Sequence, residues 1–220
     1  MCSSDLFLRA PSPLAPQKAA GAPIEQPRWL LVVLISTMFF LFVGAELSFG
    51  GWIYTYALSM GLANETTAGY LNSFFWAALT LGRLISIPIA GRVRPRYLLT
   101  ADILGLLASL SLLLIFPQST TVIWVATFGF GLSMANVYPT LILLGERHIP
   151  ISGKITSWFL VGGSLGSMIV PWLIGQRFEA TGPQVTVIII MLVTVLAAAV
   201  LGAFLVAIRG ERGGEGVTRR

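Results

Sequence analysis

Six hydrophobic runs, each of about 20 residues or more, fill most of this sequence and are separated by short segments rich in Pro, Gly, Asn or charge. A run of this length crosses the ~30 Å hydrocarbon core of a bilayer as one α-helix. The runs are Trp29–Tyr56, Ala68–Ala90, Leu98–Phe116, Val122–Gly145, Ile155–Gly175 and Val185–Ile208. The sequence therefore predicts an all-α, polytopic membrane protein with six transmembrane helices.

The shortage of charged residues excludes the main soluble alternatives. Charged residues make up 10% and hydrophobic residues 55% of the 220 residues, whereas a soluble domain carries about 25% charged residues. The predicted domains are a Pro/Ala-rich cytoplasmic linker at 1–28, the bundle at 29–208 and a cytoplasmic tail at 209–220. Cytosolic enzymes and nucleic-acid-binding proteins are excluded, as are disulfide scaffolds, because Cys2 has no intrachain partner.

The positions of the 14 basic residues predict the orientation of the bundle. All but two lie before the first run, after the second, after the fourth or after the sixth. The exceptions are Arg83, inside the second run, and Arg177, in a loop on the opposite side. By the positive-inside rule both ends of this segment are cytoplasmic, in a plasma (cytoplasmic) membrane. The alternation requires an even number of spans and supports six.

The first residues raise a separate question. The pentapeptide Cys2–Leu6 matches the translation of a sequencing-adapter end, so we hypothesise that residues 1–6 are artefactual and that native upstream coding sequence is missing. We expect no cleaved signal peptide, because the first ~28 residues contain no apolar region followed by a small-residue cleavage site.

The runs also contain an internal repeat. The second and fifth align at an offset of 84 residues, which matches Gly82 with Gly166, and the first and fourth align at 85, which matches Gly44 with Gly129. Each copy holds three spans, so the second copy crosses the membrane inverted. Two inverted three-helix repeats are typical of secondary transporters.

Gly and Pro interrupt corresponding runs. We interpret Gly44 and Gly50-Gly51 in the first run, and Gly129, Gly131 and Pro139 in the fourth, as breaks beside a transport path. The second and fifth runs carry Pro88 and Pro171 at corresponding places. In the fifth run we interpret Gly162 and Gly166 as sites of close helix packing.

Three charged residues lie inside runs. Glu46 is about 24 Å from the end that begins at Trp29, and a carboxylate at that depth must be paired, hydrated or protonated. We predict a role in coupling, the alternative being a structural carboxylate bonded to backbone. Arg83 and Asp102 lie roughly 6–10 Å from the cytoplasmic face. With Glu146 and Arg92 they could form a gating latch, unless Arg83 merely snorkels to the interface.

Polar and aromatic residues recur at helical spacing. Asn72, Trp76 and Thr80 share one face of the second run, and Asn136 and Thr140 share one face of the fourth. Hydroxyls are bound by hydrogen-bonding side chains and sugar C–H surfaces by aromatic faces, so these residues, with Trp52, are predicted to line a carbohydrate path. The alternatives are interhelical hydrogen bonds and an interfacial aromatic belt.

Several segments resemble one transporter family. They are Gly44–Ile53, Phe75-Trp76, Leu81–Leu84, the corner Gly91–Arg96, Ala135–Thr140, Ser164–Ser167 and Pro171–Gly175. Together they resemble the carboxy-terminal half of the fucose–galactose–glucose permease branch of the major facilitator superfamily, which includes sodium-dependent glucose transporter-like proteins. The resemblance covers nearly all of residues 29–208. The corner departs from the superfamily pattern, which has Asp where Gly91 stands and Gly where Arg94 stands.

The resemblance implies secondary active transport by alternating access. Three partners are expected in the lipid bilayer: a small hydrophilic solute that is a monosaccharide, a coupling cation that is H⁺ or Na⁺, and an amino-terminal six-helix half. No enzymatic activity, cofactor or metal is expected, since the sole histidine, His148, lies in a loop. Two alternatives stay open, an exporter of lipophilic compounds and a stand-alone six-span homodimer.

Overall fold

The computed structural model describes the backbone of residues 29–90, 93–149 and 152–217. Within these ranges the chain forms seven α-helices and no strand. They are α1 (Trp29–Ser59), α2 (Glu65–Ala90), α3 (Pro95–Ile115), α4 (Thr120–Met134), α5 (Val137–Glu146), α6 (Gly153–Thr181) and α7 (Val185–Val217). The linker predicted at 1–28 lies outside the described residues.

The break predicted at Pro139 in the fourth span is confirmed, but Gly129 and Gly131 lie within the continuous helix α4. Pro88 and Pro171 likewise lie inside α2 and α6 without interrupting them. Ala135 and Asn136 separate α4 from α5, which are two halves of one span, Thr120–Glu146. Pro139 contributes to the break, because proline has no N–H to bond the carbonyl four residues earlier, that of Ala135, and its ring crowds that carbonyl.

The remaining helices match the predicted runs but begin earlier or end later. α2 begins at Glu65, where the Asn64 side chain accepts a hydrogen bond from the Thr67 backbone N–H at 2.8 Å. α7 continues to Val217 rather than ending at residue 208, so most of the predicted tail is helical.

Five of the six predicted spans coincide with helices that, among the described residues, are long and apolar enough to cross a membrane. These are α1, α3, the interrupted α4–α5, α6 and α7. The remaining predicted span, α2, has 26 residues and is long enough to cross, but Asn72, Thr80 and Arg83 lower its hydropathy. It packs between α1 and α4, inside the same bundle. The chain is a multi-pass, all-α membrane protein.

Packing within the bundle follows the predicted repeat. α1 packs mainly on α6 and α7, while α4 packs mainly on α2 and α3. Thus the first helix of each repeat contacts the second and third helices of the other. The aligned glycines play equivalent parts: a Cβ on Gly166 would clash with the Phe40 carbonyl of α1, and one on Gly82 would lie 2.9 Å from the Leu132 carbonyl of α4. Close packing at Gly166 is confirmed.

The predicted breaks in the first run are wrong. α1 is one continuous helix of 31 residues, and its glycines allow neighbours to approach instead. A Cβ on Gly44 would lie 2.7 Å from Val170 of α6, and a Cβ on Gly50 would lie 2.7 Å from the Trp76 ring of α2. Gly51 is exposed, and a Cβ added there would meet no other atom within 4 Å. Glycine without a neighbouring helix-breaking proline does not interrupt a helix that is held on several sides.

Candidate functional site

An ion pair joins α1 to α2 in the interior of the span. Arg83 Nη2 lies 3.7 Å from Glu46 Oε1. The Glu46 side chain is 14% exposed and that of Arg83 is 55% exposed, so the carboxylate is largely enclosed while the guanidinium reaches an open face of the bundle. Glu46 stands roughly 20 Å from the Ser59 end of α1, at 1.5 Å per residue.

The pair corrects the depth that residue counting gave for Glu46 and Arg83. Counting from the ends of the hydrophobic runs separated them by roughly half a span, yet they are in contact. α1 begins at Trp29 and is longer than α2, so its first residue lies farther out than the last residue of α2. Arg83 also has a long side chain that extends along its helix.

Glu46 lines a small pocket whose other residues are apolar or aromatic. They come from α1, from the last residue of α4 and from the first turns of α5, and they are Phe39, Phe42, Val43, Met134, Val137, Tyr138 and Leu141. The carboxylate therefore lies beside the α4–α5 break. Separating it from Arg83 would leave a charge with little hydration, a change that costs about 3–5 kcal/mol where the charge is fully buried and less where water reaches it.

The predicted polar face of α2 is present next to this pair. Trp76 is 40% exposed, and Thr80 and Arg83 are exposed on the same helix. The Thr80 hydroxyl donates to the Trp76 carbonyl at 2.9 Å, so it is already satisfied within the helix. Asn72 is half-buried and its side-chain oxygen has no hydrogen-bond partner among the described residues. Trp76 and Arg83 therefore retain exposed stacking or hydrogen-bonding surface, whereas the Asn72 oxygen is buried.

Trp52 is separated from that face. It packs between α1 and α6, with its ring centroid 5.0 Å from that of Phe178 and its indole against Gly175. Asn136 and Thr140 are also elsewhere: Thr140 is 5% exposed within α5, and Asn136 faces a cleft that includes Asp102 of α3. The residues predicted to line one path are thus divided between α2, the α1–α6 contact and the α3–α4 contact.

The predicted latch residues are also divided. Arg83 pairs with Glu46, Asp102 lies in the cleft with Asn136, and Glu146 is exposed at the end of α5. Arg92 lies outside the described residues. Within the corner Gly91–Arg96, Arg94 has an extended conformation and Pro95 is the first residue of α3.

Comparison with known proteins identifies the family. The sequence profile described as Major Facilitator Superfamily matches residues 6–171. The chain belongs to the Major Facilitator Superfamily. Its two three-helix repeats, with α1 and α4 at the centre of the contacts, are the arrangement found in each half of such a transporter.

Members of the superfamily with similar sequences include two proteins named for sodium-dependent glucose transport. Sodium-dependent glucose transporter 1 of Homo sapiens is 30% identical over 172 residues, which is 77% of this chain and 33% of that protein. Sodium-dependent glucose transporter 1A of Mus musculus is 32% identical over 157 residues, 71% of this chain and 37% of that protein. Major facilitator superfamily domain-containing protein 4A of Xenopus tropicalis is 36% identical over 136 residues, 61% of this chain and 27% of that protein. The chain spans about a third of the length of these relatives.

Tyr138 is a candidate site residue that sequence reasoning did not select. It borders Glu46 on one side, and on the other a pocket of about 160 Å³ that includes Ser164 and Ser167 of α6. Its ring meets that of Phe39 edge to face at 5.1 Å. The signal was its place directly before Pro139, since residues beside a helix break line the site in many transporters.

Proposed function

We propose that this chain is the carboxy-terminal half of a secondary active transporter, a sugar symporter coupled to H⁺ or Na⁺ that works by alternating access. The observation that supports this most directly is the Glu46–Arg83 pair, which joins two helices inside the span beside the α4–α5 break. The names of the two glucose-transporter relatives support the substrate class and favour Na⁺.

The pair supplies a contact that can be made and broken. Arg83 is more than half exposed, so a solute hydroxyl or a cation can reach the site from the open face of α2. A cation or proton on Glu46 weakens its attraction to Arg83, and α1 can then move relative to α2. In this proposal the pair holds one state of the transporter, and the coupling ion releases it.

The α2 face supplies groups suited to a monosaccharide. Trp76 offers an aromatic surface for sugar C–H groups, and the exposed Arg83 guanidinium offers hydrogen bonds for hydroxyls. Asn72, on the same face of the helix, would reach a solute only if its buried oxygen became accessible as α2 moves. Trp76 is held in place by Phe75, 4.9 Å away between ring centroids, and by Gly50 of α1. A rigid aromatic wall next to flexible polar groups is a common arrangement in sites for small polar ligands.

An amino-terminal six-helix half is part of the proposal. Large apolar side chains on α2 and α6 are exposed, among them Leu84, Ile87, Leu165, Met168 and Trp172. Some of this surface faces lipid, and the α2 surface beside Arg83 would face the partner half across the solute path. Sequencing the gene upstream of this segment tests this: six further spans in frame support it, and a stop codon contradicts it.

Substitution of Glu46 by Gln tests the coupling role. In the full-length transporter, Glu46→Gln keeps the shape of the side chain but removes its charge, so we expect accumulation of labelled hexose above the external concentration to be lost. Insertion and folding, followed by gel filtration, should be retained because the polar side chain still bonds Arg83. Glu179→Gln, which changes an exposed carboxylate at the far end of α6, is the matched control and should accumulate hexose normally. Normal ion-linked accumulation by the Glu46 variant would refute the assignment.

A second candidate function has one observation in its favour. An apolar groove of about 560 Å³ runs between α1 and α6 and includes Trp29, Phe40, Trp158 and Leu165. A groove of this character suits a lipophilic compound. Uptake of hexose compared with efflux of a lipophilic dye, in the same cells, distinguishes a sugar symporter from an exporter of lipophilic compounds.

A further inference from the structure

Asp102 of α3 is a buried carboxylate that the proposed ion pair leaves unused. It is 7% exposed, and its Oδ2 atom has no hydrogen-bond partner among the described residues. It lines a cleft of about 190 Å³ between α2, α3 and α4, whose other residues are Gly82, Ile85, Ala101, Leu132, Ser133 and Asn136.

No protein cation neutralises this carboxylate within the described part of the chain. Arg83 directly follows Gly82 of the cleft wall, but its guanidinium is held by Glu46. The Asn136 side chain hydrogen-bonds the Asp102 carboxylate but brings no charge to it. A buried carboxylate without a counter-charge is unfavourable, so a proton or a bound cation would stabilise it.

The other groups around the cleft favour a cation. Asn136 contributes a buried side-chain oxygen that also has no hydrogen-bond partner among the described residues. Ser133 is one helical turn before Asn136, and its hydroxyl packs against Gly105 of α3. A Cβ on Gly105 would clash with this hydroxyl. These are oxygen ligands of three kinds, supplied by residues from two helices.

The helix break adds a further oxygen near the cleft. α4 ends at Met134 and α5 begins at Val137, so the carboxyl-terminal end of one helix dipole meets the amino-terminal end of the other and the two oppose each other. Pro139 leaves the Ala135 carbonyl without its helical N–H donor. Ends of interrupted helices and unwound carbonyls are the groups that coordinate Na⁺ in several transporter folds.

We infer that Asp102, Asn136 and Ser133 form a binding site for a monovalent cation, Na⁺. A single carboxylate with neutral oxygens balances one positive charge, whereas divalent cations in proteins generally take more carboxylates. The cleft has room for water molecules that complete the coordination, since one water occupies about 30 Å³. The chemistry of the site rests on this geometry, and its role as the coupling site rests on the proposed transport function.

α2 connects this site to the ion pair. Gly82 and Ile85 form one wall of the cleft, and Arg83 lies between them in sequence. Gly82 is packed tightly enough that a Cβ there would lie 2.6 Å from Ala135. A cation that draws Asp102 and Asn136 together therefore fixes α2 against the α4–α5 break, next to the Glu46–Arg83 pair.

Binding of radiolabelled Na⁺ to the purified full-length transporter in detergent tests the site, with choline chloride holding the ionic strength constant. Wild-type protein should bind Na⁺ saturably. Asp102→Asn should weaken binding by about tenfold or more, because it removes the charged ligand. Glu179→Gln, an exposed carboxylate on α6, should stay within about twofold of wild type.

A matched pair of serine variants keeps the test valid if Asp102→Asn fails to fold, which gel filtration will reveal. Ser133→Ala should weaken Na⁺ binding several-fold. Ser109→Ala should not, because the Ser109 hydroxyl already donates to the Gly105 carbonyl at 2.9 Å. Equal Na⁺ affinity in wild type and Ser133→Ala, or no saturable binding by folded wild-type protein, would overturn the inference.

Failure of the Na⁺ site and failure of the proposed transport function can be told apart, because the binding assay contains no sugar. Na⁺ binding that depends on Asp102 in a full-length protein that moves no hexose supports the site and contradicts the transport function. Hexose accumulation that is unaffected by Asp102→Asn, together with unchanged Na⁺ binding, contradicts the site and leaves the transport function standing.

Discussion

At the scale of single residues, the two buried acids of the spans are satisfied in different ways. Glu46 has a protein partner, Arg83, at 3.7 Å, whereas Asp102 faces a cleft with unpartnered oxygens. Sequence alone identified both acids, because charged residues inside apolar runs are rare. It did not anticipate the contact between Glu46 and Arg83, because depth counted along a run ignores how far each helix extends beyond its neighbours and how far Arg83 reaches.

Trp76 provides a residue-scale test of the proposed sugar face. Trp76→Ala in the full-length transporter should raise KM for hexose roughly 3- to 10-fold, since one aromatic contact contributes about 0.5–1.5 kcal/mol. Trp76→Phe should restore most of the affinity because a ring remains. Trp172→Ala removes a tryptophan that is 60% exposed on α6 and should leave KM unchanged. A KM shift of equal size in both alanine variants would point to a general loss of packing.

At the scale of helices, glycines separate into those that touch a neighbour and those that do not. Gly166 faces the Phe40 carbonyl so closely that a Cβ would clash, whereas Gly202 of α7 has open space at the same position. Alanine is otherwise favoured over glycine in helices by about 0.5–1 kcal/mol. The same substitution should therefore have opposite effects at these two positions.

Thermal unfolding of the purified chain measures this difference. Gly166→Ala should lower the free energy of unfolding by about 1–3 kcal/mol, the usual cost of inserting a methyl group into a well-packed contact. Gly202→Ala should leave it unchanged or raise it slightly. A stabilised Gly166 variant would mean that α1 and α6 can separate at no cost, contrary to the close contact described here.

The helices themselves were largely predictable, and the reason is physical. In a bilayer every backbone group must be bonded internally, so a long apolar run has little choice but to be helical. The interruption at Pro139 was partly predictable, since proline removes a specific hydrogen bond. Pro88 and Pro171 remove the same bond without interrupting α2 and α6, so a proline alone does not fix the position of a break. The continuity of α1 through Gly44 and Gly50 was not, because it depends on which neighbour packs there, Val170 of α6 or Trp76 of α2. The division of polar residues between separate clefts depends on those same contacts.

At the scale of the whole molecule, the distribution of basic residues sets the remaining expectation. Arg94, Arg96, Arg147 and Lys154 lie near the ends of helices that meet at one end of the bundle. The loops at the other end, 60–64 and 182–184, contain no basic residue. Under the positive-inside rule the basic end faces the cytoplasm. Since Cys2 is the sole cysteine, single introduced cysteines can report the side of each loop.

Labelling with a membrane-impermeant maleimide in intact cells tests this orientation. In a Cys2→Ser background, Ser152→Cys at the basic end should be protected until the membrane is permeabilised, whereas Gln184→Cys at the other end should react at once. Both native residues are exposed, so a difference in reactivity reports the side of the membrane rather than burial. α6 alone separates these two loops, so the expected pattern requires α6 to cross the bilayer with its Gly153 end in the cytoplasm. Reversed labelling, with Ser152→Cys reactive at once and Gln184→Cys protected, would contradict this orientation. With the start of α1 in the cytoplasm, reversed labelling is also the pattern expected if α2 does not cross, and the Glu46–Arg83 pair could not then act as an intramembrane gate.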